Sequence, residues 1–240
     1  LRLRAKNDAI DAGVCARYAQ DRCKDVHVIT QIDPTHEALR TLVSCRDDVV
    51  KARTQWKNRL QQALFQGHSK YVVRYLKRHI AFETKQLLGI EKEIDATISA
   101  DATARAKAVE LKKIKGVGPQ TTRIVIALLP ELGTVSDKQL NSLVGVAPYA
   151  SDSNDKRKPR HITGGRKLVR NVLYMACMTA IYKNAAVKPY YEQMRARGMQ
   201  HKSAMMACIR RLLAYMNKRI CMLNAGAGMI SGPTTSAANP

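Results

Sequence analysis

The segment Leu111-Lys-Lys-Ile-Lys-Gly-Val-Gly-Pro119 decides the fold of the second half of this 240-residue chain. Two glycines separated by one residue allow a tight turn, and a proline suits the first turn of a new helix. The apolar run over residues 121–129 continues from that proline, and Pro130 ends it. We therefore predict a helix-hairpin-helix, in which one helix ends before the glycines and the next begins after them.

The same hairpin is a candidate phosphate site. Glycine lets a backbone approach an anion closely, and the first amides of the following helix point at that anion with a favourable dipole. A purely structural turn is the alternative, because a Gly-x-Gly sequence is weakly specific. Lysines beside the turn favour phosphate binding, and we predict nucleic-acid contacts from Lys115, Gly116 and Gly118.

Apolar periodicity upstream of the hairpin predicts a mainly α chain. Residues 1–33 are predicted to hold a short helix over residues 8–20 and an alternating strand over residues 25–32. Two long helices, from Pro34 to about Phe65 and from about Tyr71 to Ala100, are separated by Gly67-His68-Ser69. They predict a long, coiled-coil-like helical hairpin over residues 34–103, which serves as a linker or dimerisation region.

Residues 104–223 are predicted to form a compact helical domain that contains the helix-hairpin-helix. Ser136 and Gln139 match a capping box, and Gly145 follows the short helix that they begin. Further helices are predicted over residues 166–183, 189–197 and 202–223, after a polar, basic loop. Residues 224–240 are rich in Gly, Ala, Ser, Thr and Pro and are predicted to be a disordered tail.

The charge of the chain points to a polyanionic partner. There are 41 Lys and Arg residues against 19 Asp and Glu, which gives a formal net charge of +22. Residues 156–240 hold sixteen of the basic residues and one acid, Glu192. Nucleic acid is the first candidate, although a ribosomal or architectural protein would share this charge. A membrane surface is disfavoured, because no helix is evidently basic on one face and richly aromatic on the other.

The six cysteines are scattered, without the paired spacing of a structural zinc site. Cys177, Cys208 and Cys221 fall in apolar helical runs and are predicted to be buried thiols. There is no apolar run of about 20 residues and no signal peptide, so no membrane partner is predicted. We expect a cytoplasmic protein with reduced thiols.

The loop that follows Pro148 is a second candidate site. Four guanidinium groups around it suit bidentate phosphate contacts, and they are predicted to bind nucleic acid: Arg157, Arg160, Arg166 and Arg170. A hydroxyl beside such a cluster could attack a phosphodiester, because arginines would meet the developing charge. Ser151 and Ser153 are the candidates, and ordinary loop serines are the alternative.

A third candidate is the pair Asp8-x-x-Asp11. Carboxylates three residues apart share one face of a helix and can hold Mg²⁺ together with acids from elsewhere. The alternative is a solvated helix face.

Taken in order, these pieces resemble one family, the DEDD (Piv-like, RuvC-like) transposases of bacterial insertion sequences in the IS110/IS1111 group. The segment from Lys6 to Ala12 resembles the family's K-[TN]-D-x-x-D-A sequence, and residues 114–119 resemble its [IPT]-x-G-[VI]-G-P hairpin. The resemblance extends over roughly residues 5–222. Its most specific part is the C-terminal transposase domain, which is matched by Gly145-Val-Ala-Pro148, Asp152-Ser153, Arg160, Gly164-Gly165-Arg166, Val169-Arg170, Leu173-Tyr-Met175 and Tyr190-Tyr-Glu192.

The resemblance implies a transposase that cuts and rejoins DNA. In this family an RNase-H-like domain carries an Asp-Glu-Asp-Asp set that binds divalent metal, and a helical domain supplies a serine nucleophile. By residue match, Asp8 and Asp11 are the last two acids of a Mg²⁺ site, and Ser153 is the nucleophile. The implied partners are DNA, other copies of the chain in a homo-oligomer, and the structured guide RNA that many members use.

Two departures from the family pattern shape the expectations. The first Asp and the Glu of the metal set have no counterpart, so residues 1–33 are expected to be a truncated RNase-H-like α/β remnant that lacks the N-terminal part. Asn154 stands where a glycine commonly follows the nucleophile. We therefore expect a chain that binds nucleic acid without recombining it. The rival to a transposase is a non-catalytic DNA- or RNA-binding remnant of one, and a structural basic protein is a third reading.

Overall fold

The computed structural model describes Asp8–Arg22 and residues 33–149 and 161–230. The predicted strand over residues 25–32 lies outside the described residues. The chain divides into two compact units, Leu1–Asp33 and Pro34–Pro240. Within the described ranges almost all secondary structure is helical, which confirms the mainly α prediction.

The first unit is described through one helix, α1 (Asp8–Arg22). Every side chain described along this helix is exposed. The RNase-H-like remnant expected for residues 1–33 therefore stays a prediction, because its strand is not among the described residues.

The second unit begins with two long helices, α2 (Pro34–Phe65) and α3 (Lys70–Ala100), which pack against each other. Arg46 of α2 contacts Glu91 of α3, whereas Trp56, which lies later in α2, contacts His79, which lies earlier in α3. Later residues of α2 thus meet earlier residues of α3. The pair is an antiparallel hairpin, as the break at Gly67 predicted.

The remaining elements of the second unit are short helices and one small sheet. They are α4 (Ala102–Lys112), α5 (Pro119–Leu128), α6 (Asp137–Val144), β1 (Pro148–Tyr149), β2 (His161–Ile162), α7 (Lys167–Lys183), α8 (Lys188–Ala196) and α9 (His201–Ile230). The capping box of α6 is present, with the Gln139 amide donating to Ser136 Oγ and the Ser136 amide donating to Gln139 Oε1. Gly145 ends that helix in a left-handed conformation, as expected.

The core of the second unit surrounds α9. This helix packs against α4, α6, α7 and α8, and its inner face holds the largest set of fully buried side chains. Those side chains are Met205, Cys208, Ile209, Leu212, Leu213, Met216 and Ile220. None of the helices described combines the length and the apolar character that crossing a bilayer requires.

The hairpin and the compact helices share this core, although residues 34–103 and 104–223 were predicted as separate domains. Leu39 and Val43 of α2 and Ile94 and Ile98 of α3 belong to the same buried cluster as α4–α9. Their burial explains why the chain divides at Asp33 and not again after α3.

Two expectations about the end of the chain are corrected. Helix α9 continues to Ile230, seven residues into the segment predicted as a disordered tail. Asn224 contributes there by donating from Nδ2 to the carbonyl of Gly133, at 3.4 Å. Cys177 and Cys208 are buried as predicted, but Cys221 is exposed, because it lies on the outer face of α9.

Candidate nucleic-acid interface

The predicted hairpin lies between α4 and α5. Its turn is closed by backbone bonds from the Ile114 amide to Leu111 and from the Val117 amide to Ile114, at 3.1 and 2.9 Å. The side chains of Ile114 and Val117 are buried and anchor the turn, while Lys115 is exposed between them. The turn thus holds Lys115 outward from a fixed backbone.

Gly116 is required by packing. Its φ of +102° is one that L side chains rarely adopt, and a Cβ here would lie 2.8 Å from Ala180 Cβ and 3.0 Å from the Ala176 carbonyl oxygen, both on α7. Nearby, the buried side chain of Asn184 donates from Nδ2 to the Lys115 carbonyl at 2.9 Å. The C-terminal part of α7 and its cap residue Asn184 therefore pack directly against the turn between α4 and α5.

Gly118 is different, because nothing in the fold requires a glycine there. Its φ is −89°, which any residue can adopt, and a Cβ at this position would meet no heavy atom within 4 Å. It is the N-cap of α5 without any side-chain cap, and Pro119 follows it at the start of the helix. Of the two glycines that were expected to allow the tight turn, only Gly116 has a dihedral that favours glycine. Open space over an uncapped helix start is what close approach of a phosphate needs.

The segment that contains Ser151 and Ser153, here called the serine loop, lies in sequence between the two strands of a short antiparallel sheet. Strand β1 pairs with β2 in the register Pro148 with Ile162 and Tyr149 with His161. The residues between these strands, 150–160, lie outside the described ranges, and Ser153, Arg157 and Arg160 are among them. Their predicted roles stay predictions.

Two glycines cross closely just behind this sheet. A Cβ on Gly145 would come within 2.2 Å of the Gly164 carbonyl oxygen, and a Cβ on Gly165 within 2.3 Å of the Gly145 nitrogen. Both residues have positive φ. The motifs that contain them are thus explained locally, since two backbone segments pass too closely for side chains.

Arg166 and Arg170 both have hydrogen-bond partners within the protein, and their predicted contacts with phosphates stay predictions. Arg166 donates from Nη1 and Nη2 to the two carboxylate oxygens of Glu131, each at 2.6 Å. Arg170 Nη1 donates to the Gly164 carbonyl at 2.7 Å and to that of Gly145 at 3.2 Å. The two arginines hold the residues that follow β2 against the end of α6 and the segment after α5.

The bidentate bond to Arg166 lowers the pKa of Glu131 below the ordinary value of about 4.5. Partial burial opposes that shift without cancelling it. Glu131 and Asn184 were not among the predicted site residues. Each acts on a residue at least 35 positions away, and no local pattern signals such a pair.

The two acids of α1 lie three residues apart at the start of the helix and are exposed, so they share one face as predicted. Among the described residues there is no group of three or more His, Cys, Asp or Glu side chains placed to hold a metal ion. Asp8 and Asp11 are oxygen donors of the type that Mg²⁺ prefers, but two carboxylates form only part of a binding site.

Comparison with known proteins places this geometry in context. A profile described as transposase of the IS116/IS110/IS902 family matches residues 108–192, which contain the hairpin, the sheet and α7. A second profile, for DEDD transposases of the IS110 type, matches residues 2–68, which contain Asp8 and Asp11. Together the two matches cover more than half of the chain.

Two curated proteins are similar over long segments. An uncharacterised 43.6 kDa protein of insertion element IS110 from Streptomyces coelicolor is 23% identical over 128 residues, which are 52% of this chain and 31% of the relative. An uncharacterised 44.8 kDa protein of insertion element IS116 from Streptomyces clavuligerus is 26% identical over 172 residues, 68% of this chain and 41% of the relative. The matched segments thus span less than half the length of each relative. Because two transposase profiles of the IS110 type match residues 2–68 and 108–192, this chain belongs to the IS110 family of transposases.

Proposed function

We propose that the chain takes part in DNA strand cleavage and transfer during insertion-sequence transposition. The observation that carries the proposal is the α4–α5 hairpin, which exposes Lys115 and an unobstructed Gly118 backbone within the segment that matches the transposase profile. A phosphate could approach the first amides of α5 there, with Lys115 beside it. Such contacts ignore base sequence and would hold DNA of any sequence on the chain.

The proposed chemistry is transesterification at a phosphodiester. Ser153 Oγ attacks phosphorus and forms a phosphoserine bond, the bond from phosphorus to one sugar oxygen breaks, and the serine proton goes to solvent while the leaving oxygen takes one up. Arg157 and Arg160 supply positive charge for the non-bridging oxygens. A DNA hydroxyl then attacks the phosphoserine, which rejoins the strands and releases Ser153.

A divalent metal such as Mg²⁺ would supply charge stabilisation at the phosphate when bound, and Asp8 and Asp11 would provide part of its ligand set. A homo-oligomer and a structured guide RNA are further partners that we propose on family resemblance. A second candidate function is non-catalytic DNA or RNA binding, which is favoured by the lack of a fuller group of metal ligands among the described residues.

The test mixes the 240-residue chain with labelled DNA from an element end, Mg²⁺ and, where the element encodes one, its structured RNA. A covalent protein–DNA adduct on a denaturing gel supports strand cleavage. Ser153→Ala should remove the adduct while DNA binding persists, and Ser151→Ala is the matched control from the same loop. An adduct that survives Ser153→Ala would rule out this nucleophile. Salt-sensitive binding without an adduct would support the second candidate instead.

A further inference from the structure

The hairpin formed by α2 and α3 is strongly polarised in charge. Residues 51–85, here called the hairpin tip, hold nine Lys and Arg residues and one acid, Glu83, for a net charge of +8. The remaining parts of the two helices, residues 34–50 and 86–100, hold three basic and six acidic residues, for a net charge of −3. This basic surface is separate in sequence from the basic segment over residues 156–240.

The basic residues of α3 lie on its outer face. Lys70, Arg74, Lys77 and Lys85 are exposed, at spacings of four, seven and fifteen residues, which place them along one side of a helix. Leu76, on the opposite side, is buried. These four cations have no acidic partner among the residues that the structure describes, and the row extends over about 22 Å at 1.5 Å per residue.

Aromatic side chains form a stripe beside the basic row. Tyr71, Tyr75 and Phe82 follow the same helical spacing and are 78%, 47% and 56% exposed. On the α2 side, Trp56 stacks on His79 with ring centroids 4.4 Å apart, and the Arg59 guanidinium lies 4.9 Å from the Trp56 ring centroid. The hairpin tip therefore combines a row of cations with neighbouring flat π surfaces.

We propose that the hairpin tip is a second nucleic-acid binding surface, and that it holds a single-stranded segment. The cations of α3 would follow the phosphates, and unpaired bases would stack on Tyr71, Tyr75 and Phe82, the combination that single-strand binding uses. The inference rests on the proposed function in that the partner is nucleic acid, and it adds a contact distinct from the α4–α5 hairpin.

Charge favours this occupant over a second copy of the chain, because two tips of +8 would repel each other. A membrane surface fits less well. Arg78 interrupts the aromatic stripe, and the apolar face of α3 is already packed against α2. Self-association and lipid binding are therefore outcomes that the test must distinguish from nucleic-acid binding.

Trp56 gives a direct readout, because it is the single tryptophan of the chain. The full chain is titrated with an oligothymidine of about 20 nucleotides, with a duplex of similar length, and with vesicles of anionic phospholipid. We expect the oligothymidine to change Trp56 emission at saturation. The tip variant, Lys70→Gln with Arg74→Gln, Lys77→Gln and Lys85→Gln, should bind it at least tenfold more weakly, with a salt slope smaller by up to about 3.

The matched control removes the same charge outside the tip, by Arg40→Gln, Lys92→Gln, Lys107→Gln and Lys138→Gln. Equal affinities of the tip variant and this control, with unchanged far-ultraviolet circular dichroism, would overturn the proposal. The proposal would also be overturned if Trp56 emission responded to vesicles but not to oligothymidine. It would be overturned as well if the tip variant differed from the wild type only in self-association, measured by sedimentation, and bound oligothymidine equally well.

A third variant separates this proposal from the proposed function. Replacing Lys115, Lys167 and Lys183 by Gln removes exposed cations of the C-terminal part. If this variant loses duplex binding while the tip variant matches the control, the tip proposal fails and the proposed function stands. A wild-type chain that binds neither nucleic acid would overturn both.

Discussion

Gly116 lies against Ala180 so closely that a β-carbon on the glycine would stand 2.8 Å from the alanine methyl group. Gly118, two residues later in the same hairpin, has no heavy atom near the corresponding position. The two glycines of one motif are therefore under different constraints. Packing against α7 requires a glycine at position 116, whereas Gly118 leaves open space at the surface.

Gly116→Ala should lower the free energy of unfolding by roughly 2–4 kcal/mol, because it combines a collision with α7 and an unfavourable backbone dihedral. Gly118→Ala should change it by less than about 1 kcal/mol, since both space and dihedral accept a methyl group. Urea unfolding followed by circular dichroism measures both. Similar losses for the two variants would contradict this division of roles.

Gly118→Val should weaken binding to DNA of any sequence while the fold is retained. The side chain would occupy the space through which a phosphate approaches the first amides of α5. Fluorescence anisotropy with two unrelated duplexes measures the effect, and Lys138→Gln serves as a surface control. Full affinity in a folded Gly118→Val protein would mean that this end of α5 does not contact DNA.

The Arg166–Glu131 pair should stabilise the fold at neutral pH, and the loss of this pair should make the protein less stable in acid. The lowered pKa of Glu131 means that the pair stabilises the fold fully above the ordinary carboxyl value of about 4.5. That contribution is lost as the pH falls from there through the folded pKa. Glu131→Gln should lower the free energy of unfolding at neutral pH by about 1–2 kcal/mol, a modest value because both side chains are partly exposed.

The measurement is chemical unfolding from neutral pH to about pH 3, with the double variant Glu131→Gln and Arg166→Gln completing a mutant cycle. Glu192→Gln is the matched control, because this acid is exposed and has no ion pair within the described residues. If Glu131→Gln has the same pH dependence as the wild type, the pair does not contribute as argued.

Arg123 of α5 should hold the hairpin to the compact helices. Its guanidinium is 14% exposed and contacts Asp95 at 2.6 Å and Glu91 at 2.9 Å, both on α3. Arg123→Gln should cost roughly 1–3 kcal/mol of stability, since two carboxylates lose a partner while Arg46 still pairs with Glu91. In Arg123→Gln the amide hydrogen exchange rate should increase most near Asp95. The control variant Lys92→Gln should leave that rate unchanged. Protection that is equal in the two variants would contradict a role for Arg123.

The Cys177 thiol should be unreactive in the native state. Its hydrogen bond with Cys208, together with its burial, raises its pKa. Cys45 and Cys221 are exposed and should be alkylated rapidly by iodoacetamide at pH 8. Mass spectrometry of the peptides distinguishes these sites. Rapid labelling of Cys177 without urea would contradict the packing of α7 against α9.

Helix positions could be predicted because their signals are local. The Ser136–Gln139 capping box and the left-handed Gly145 depend on residues within a few positions of each other, so both can be recognised in the sequence alone. The purpose of Gly116 could not be predicted in the same way, because the methyl group that restricts it is 64 residues away at Ala180. Cys221 was misassigned because an apolar run does not indicate which face of a long helix is buried.

The candidate site shows the same division. An arginine in a basic stretch suggests a phosphate contact, yet Arg166 meets Glu131, which is 35 residues away in sequence. Only the fold brings that acid close. The charge of the hairpin tip was readable in the sequence, since it needs a count over residues 51–85 and no structure.

The pairing of β1 with β2 joins the residues that flank 150–160, and Gly145 and Gly165 are in close contact next to this sheet. A change of length between the two strands therefore need not move any helix. Doubling such a segment costs only about 0.6 kcal/mol in closure entropy. Relatives of this chain could therefore differ in the length and sequence between β1 and β2 while keeping the same arrangement of helices.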